Sequence, residues 1–119
     1  MRVSLLITCP PEDSDTSLAA QSFAGQALAA GDEVVRAFFH AEGVRQAVCP
    51  EGRLQAGWAD LAARGVDLVA CSSAAKRRDI RDDAPGPGFR LSGLGQLIEA
   101  ALEADRFVQF GPNVMRTDS

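Results

Sequence analysis

Cys71 stands where a protein chain can make a thiol reactive. The segment Val66-Asp67-Leu68-Val69-Ala70-Cys71-Ser72-Ser73-Ala74-Ala75-Lys76-Arg77-Arg78 passes from an apolar run into a small-residue, basic helical pattern. That pattern predicts a buried strand delivering a thiol to the first turn of a helix. Unpaired backbone N–H groups point outward there, and the helix dipole favours an anion. A free thiol has a pKa of about 8.5, so little of it is thiolate at neutral pH. A helix N-terminus stabilises the anion by about 0.3–2 kcal/mol. The backbone amides of Ser72 and Ser73 are the expected donors. The plainer alternative makes Cys71 a small hydrophobe filling a strand–helix junction.

Few other side chains compete for chemistry. Cys9 precedes Pro10 and Pro11, and it reads either as a packed residue or as a second thiol that resolves or accepts sulfur. Cys49 precedes Pro50 in a loop and reads as incidental. His40, the single histidine, ends an apolar run and is placed for a strand-edge hydrogen bond, an interface or proton transfer. Lys76, Arg77 and Arg78 form either a solvated helix face or a cationic field that assists a thiolate or receives an acidic partner. With no CxxC pair and one histidine, a structural zinc site is not expected. No GxGxxG follows the first strand and no Walker pattern is present, so no nucleotide is expected. Ser92-Gly93-Leu94-Gly95 opens a helix and is physically able to hold an anion. A tight turn packing the last helix beside Cys71 is the expectation.

The elements that position these groups follow from patterning. Arg2 to Thr8 reads as a buried first strand, stopped by Cys9-Pro10-Pro11. Asp13 to Thr16 offers caps for a helix running to about residue 30, closed by Gly31. Val34 to Phe39 is a second strand and His40 to Gly52 a loop. A helix over Leu54 to Arg64 carries Trp58 and Leu61 on one face. Val66 to Ala70 is the third strand, and Cys71 to Arg78 a short helix. Asp82 to Gly88 reads as a mobile surface loop. A last helix begins at Ser92 or Gly93 and runs through Ala104, and Arg106 to Phe110 is a final strand.

Strands alternating with helices predict a three-layer α/β/α domain with a mostly parallel sheet of four to five strands. Right-handed crossovers favour a flavodoxin-like, doubly wound order. Residues 1–111 form this domain and residues 112–119 a polar tail. Ligands in such sheets bind beyond the carboxyl ends of the strands. Thr8, Cys9, His40, Cys71 and Ser72 all fall at that edge. Were strands one and three neighbours, Cys9 and Cys71 would approach each other.

The chain has 119 residues and a net charge of −4, enough for one core. Its basic residues cluster only at Lys76 to Arg78 and Arg81, which argues against direct nucleic-acid binding. No apolar run reaches membrane-spanning length, and Val3 to Ile7 is too short for a secretory signal. The expected location is the cytoplasm, where thiols stay reduced.

Four blocks occur in order: Phe38-Phe39-His40-Ala41-Glu42-Gly43-Val44, then Ala70 to Arg78, then Phe89-Arg90-Leu91-Ser92-Gly93-Leu94-Gly95-Gln96-Leu97-Ile98-Glu99-Ala100-Ala101, then Ala104 to Phe110. This series resembles the DsrE/TusD family of sulfur-relay proteins over nearly the whole chain. The resemblance implies a sulfurtransferase subunit that carries sulfane sulfur as a persulfide on Cys71 and needs no cofactor or metal. It implies a ring-like or hexameric assembly, either with DsrF/TusC-like and DsrH/TusB-like subunits or of the chain alone. It further implies a TusA-like sulfur donor and a DsrC/TusE-like acceptor, serving tRNA 2-thiouridine formation or sulfur oxidation. Similar sequences tend to have glycine in place of Cys9 and of Asp79, and a longer segment between Val44 and Trp58. Three rivals stand beside the relay: a non-catalytic scaffold subunit, a redox protein pairing Cys9 with Cys71, and a flavodoxin-type small-molecule binding module.

Overall fold

The first strand earns its place by being apolar on both faces. In the computed structural model, which describes residues 1–113, β1 (Arg2–Ile7) is buried at every position after Arg2. Such a strand belongs in the middle of a parallel sheet with layers on either side. The Asp13 side chain accepts the Thr16 N–H and caps α1 (Ser14–Ala29), and Gly31, at φ +90°, turns the chain into β2 (Glu33–Phe39). After α2 (Arg53–Ala63) come β3 (Asp67–Cys71), α3 (Ser72–Arg77), β4 (Phe89–Ser92), α4 (Gly95–Glu103) and β5 (Arg106–Phe110).

All five strands are parallel, in the order β4-β3-β2-β1-β5. The three-layer, doubly wound architecture is the one expected. The order differs from the flavodoxin arrangement in one respect: β2 lies between β1 and β3. Successive right-handed crossovers carry the chain outward from β1 to β4 along one face. The last crossover, through α4, returns over the other face to place β5 beside β1. Strand alternation separates the two layers. Phe39 meets Trp58 of α2 edge-on at 5.0 Å, whereas Arg36 points oppositely and donates to Gln96 O on α4 at 3.1 Å.

Two segments differ from the sequence expectation. Ala41–Val48, read as loop, forms a 3-10 helix. Its buried Val44 and Ala47 are three apart, the repeat of a 3-10 turn, and no 3.6-residue stripe announces it. The helix sits tightly on β1: a Cβ on Gly43 would lie 2.0 Å from Ile7 O. Phe89–Ser92 is an edge strand where the sequence expects no strand, and the last helix, expected from Ser92 or Gly93, starts only at Gly95. Pairing of Ser92 with Cys71 holds it extended. A four-residue, half-exposed strand flanked by Pro and Gly lacks the apolar run that marks an interior strand. The Asp82 to Gly88 connection is anchored on the α2 face, where the Gly86 N–H donates to Ala47 O at 2.8 Å.

Candidate active site

Parallel registry brings one residue from each interior strand to a common row at the carboxyl edge. Ile7 pairs with Phe39, Phe39 with Ala70, and Cys71 with Ser92. The next residues along, Thr8 and His40, therefore lie level with Cys71 and Ser92. The connection leaving β3 stays on the α2 face, and the one leaving β4 crosses to the α4 face. Cys71 and Ser92 thus flank the point where connections diverge, the usual ligand crevice of an open α/β sheet.

Cys71 ends β3 and immediately precedes α3, at φ −63° and ψ 117°. Its side chain is fully buried, with Sγ 3.4 Å from Ser73 Oγ. Ser72 and Ser73, the first two residues of α3, are exposed. Their amides belong to the opening turn, which has no intrahelical acceptor for them. The thiol therefore lies just beneath a polar surface. The buried residues around it in the chain, Ala70, Ala74 and Ala75, are small, which lets a six-residue helix start directly on the strand end.

His40 extends β2, with its N–H donating to Ile7 O at 3.0 Å. Its Nδ1 is buried and meets no hydrogen-bond partner among the described residues. Burial, reinforced by the positive charges of Arg77 and Arg78, pushes its pKa below the ordinary value of 6.5. The imidazole is accordingly neutral at pH 7, a state able to accept a proton. Arg78 is committed elsewhere, donating to Glu42 Oε2 at 2.7 Å and to Ala74 O at 3.0 Å. Arg77 and Lys76 are exposed and form no ion pair among the described residues.

Cys9 belongs to a different environment. It is fully buried, 3.7 Å from Ser17 Oγ, and burial pushes its thiol pKa up. The buried Gln46 amide ties this region together, donating to Ser17 Oγ at 2.7 Å and to Cys9 O at 3.2 Å. Trp58 Nε1 in turn donates to Gln46 Oε1 at 3.1 Å. Cys9 follows β1 and Cys71 ends β3, and β2 lies between those strands, which sets them about 9–10 Å apart. A disulfide needs Cα atoms within roughly 7 Å. Cys49 is likewise buried, with its thiol pKa raised by burial, and it lies away from the row.

One feature escaped the sequence. A groove of about 580 Å³ opens beside Cys71, lined by Ser72, Ser73, Lys76, Ile80, Arg81 and Asp82. Arg81 carries the only signal of it in the sequence, as a cation close to the Lys76–Arg78 run. Among the described residues, no cluster of His, Cys, Asp or Glu is arranged to hold a metal, and no helix is long and apolar enough to cross a membrane.

Comparison with known proteins adds lineage to this geometry. The crystal structure of the ychN protein from E. coli superposes with a TM-score of 0.80, at 18% identity, covering 92% of this chain and 99% of that one. A protein from Methanobacterium thermoautotrophicum superposes at 0.70, with 22% identity over 91% and 97% of the two chains. These likenesses establish the fold. Sequence relatives are nearer. The sulfurtransferase TusD of Klebsiella pneumoniae is 41% identical over 92% of this chain and all of its own length. The TusD homolog of Pseudomonas aeruginosa is 40% identical over 93% of this chain and 98% of its own. The profile of the DsrE/DsrF-like family matches residues 1–110, and the chain belongs to that family.

Proposed function

We propose that this chain is a sulfurtransferase of a sulfur relay, and that Cys71 is its persulfide carrier. The observation that carries the reading is the place of Cys71: level with His40, at the head of α3, where the connections from β3 and β4 diverge. The relatives named sulfurtransferase support the reaction class. The Cys71 thiolate attacks the outer sulfur of a donor persulfide, R–S–SH. A new S–S bond forms at Sγ, the donor's S–S bond breaks, and the donor leaves as R–S⁻ with the bonding pair. Attack by an acceptor thiolate on the same sulfur regenerates Cys71. The sulfur keeps its oxidation state, so neither an electron carrier nor a metal takes part.

The row supplies what this exchange needs. Amides of Ser72 and Ser73 face the anion, Arg77 adds positive charge, and neutral His40 takes the thiol proton. Cys9 sits outside the exchange as a packing residue. Since Cys71 is enclosed, the first turn of α3 opens when a partner docks. Donor and acceptor are TusA-like and DsrC/TusE-like proteins of the cytoplasm, feeding tRNA thiolation or sulfur oxidation. The chain assembles with DsrF/TusC-like and DsrH/TusB-like subunits or with itself. Exposed Leu94, Ile98 and Leu102, four residues apart along one side of α4, support such an assembly.

Full burial of Cys71 favours one rival, a scaffold subunit with an inert thiol. Intact-mass spectrometry after incubation with inorganic polysulfide or a persulfidated donor decides between them. Sulfur gained on Cys71 and lost in Cys71→Ser, with the fold retained, is the expected result. Undiminished loading of Cys71→Ser would overturn the assignment, and a Cys71 that neither loads nor alkylates would make the chain a scaffold.

A further inference from the structure

We infer that Ser73 is a catalytic residue of the thiol exchange through its side-chain hydroxyl, which donates its hydrogen to Cys71 Sγ whenever that sulfur carries negative charge. The inference rests on the reading of Cys71 as sulfur carrier and adds a donor beyond the backbone amides. Ser73 Oγ lies 3.4 Å from Sγ, two residues along the chain, and among the described residues it has no other hydrogen-bond partner. While the thiol keeps its proton, either atom can donate. Once the proton has left, the sulfur only accepts, and the hydroxyl turns its hydrogen onto it. A hydrogen bond to an ionised partner is about twice as strong as a neutral one.

A second cysteine–serine pair in the same molecule shows what sets this one apart. Cys9 Sγ lies 3.7 Å from Ser17 Oγ. The Ser17 hydroxyl gives its single hydrogen to Asp13 O at 2.8 Å, with Pro10 O at 3.4 Å as the alternative. It also accepts from Gln46 Nε2 at 2.7 Å, so no hydrogen remains for Cys9. Ser17 is fully buried, whereas Ser73 is exposed at the start of α3. The Ser73 hydroxyl thus links an enclosed sulfur to the surface and is free to reorient. In the exchange, Sγ is the nucleophile when sulfur is taken up and the leaving group when sulfur is passed on. A donor beside it assists both halves, raising the thiolate fraction in the first and stabilising the departing thiolate in the second.

The test is the pH–rate profile for alkylation of Cys71 by iodoacetamide, read by peptide mapping. The full chain is compared with Ser73→Ala and Ser73→Thr. His40 on β2, Lys76, Arg77 and Arg78 on or next to α3, and Arg81 and Asp82 of the groove are the same in all three proteins, so the comparison isolates the hydroxyl. Ser73→Ala is expected to displace the profile upward by about one pH unit. At pH 7 the rate should fall about threefold rather than tenfold, because a more basic thiolate is the better nucleophile. Ser73→Thr keeps the hydroxyl and should restore both values. A hydroxyl that only covered the thiol gives the opposite sign, since its removal opens Sγ to the reagent and speeds the reaction. An unchanged or faster Ser73→Ala, or a Ser73→Thr as slow as Ser73→Ala, would overturn the inference. So would a Cys71 that alkylates in none of the three. Alanine suits an exposed first turn, and far-UV circular dichroism checks that the fold is kept. Polysulfide loading of the unmodified chain is scored separately. The expected alkylation pattern without loading keeps the hydrogen bond and sinks the relay, and loading with an unmoved profile sinks the hydrogen bond alone.

Discussion

His40 and Cys9 differ in fate because their neighbours differ. His40 keeps a buried, unpartnered Nδ1 beside two arginines, and that combination favours its neutral form. As the only histidine, it gives one clean titration in imidazole NMR spectra, expected below pH 6.5. Arg77→Gln removes one of the charges that depress it, so the midpoint should move upward; an unmoved midpoint would leave burial and Arg78 as the causes. The sign for stability follows. A histidine whose folded pKa is depressed stabilises the fold above the unfolded value of about 6.5, and that contribution is lost as pH falls through the folded value. Cys9, by contrast, is buried against Ser17 and Gln46, on the far side of β2 from Cys71. The fold thereby removes the geometric basis of the Cys9–Cys71 redox pair.

Strain sits at the ends of the elements that frame the site. Ala41 enters the 3-10 helix at φ +53°, one residue after His40, and Asp79 follows α3 at φ +58°. Left-handed backbone costs an L-residue about 1–2 kcal/mol, part of which glycine returns as entropy on unfolding. Ala41→Gly and Asp79→Gly should each raise stability by about 0.5–1 kcal/mol in urea denaturation. A loss of stability in either would mean that its side-chain contacts outweigh the strain. Beneath α4 the elements are joined by charge: Asp67 accepts Arg36 Nε at 2.8 Å and Arg90 Nε at 2.9 Å. The Arg90 hydrogen bond is the larger cause holding the Asp67 carboxyl below its usual range.

On the scale of the whole molecule, the two faces of the sheet are unequally covered. Helices α1 and α2 pack together on one face, whereas α4 alone serves the other. On that second side Leu94, Ile98 and Leu102 remain 43%, 61% and 81% exposed, and Phe107 of β5 remains 39% exposed. Burying one such side chain is worth about 1.5–3 kcal/mol. Ile98→Lys should therefore weaken self- or hetero-assembly by at least roughly tenfold. Light scattering over a dilution series checks this, and an unchanged mass at every concentration would place the contact surface elsewhere.

Local pattern was sufficient for β1, α1, α2, β3 and β5, because apolar runs, caps and 3.6-residue stripes are written in consecutive residues. It was sufficient too for the placement of Cys71 at the junction of β3 and α3, since a thiol between an apolar run and a small-residue helix is a local arrangement. Family membership was also legible, from the cysteine block and the Ser92-to-Gly95 block together. Tertiary structure alone decided the rest. Phe89–Ser92 becomes a strand only because Cys71 lies beside Ser92, and Ala41–Val48 coils only because Gly43 fits against β1. The order of strands separates the two thiols, and the turn after α3 brings Ile80, Arg81 and Asp82 to the groove beside Ser72 and Ser73. Neighbours across a sheet are chosen by crossovers and packing between residues far apart in the chain, and no stretch of consecutive residues carries that choice.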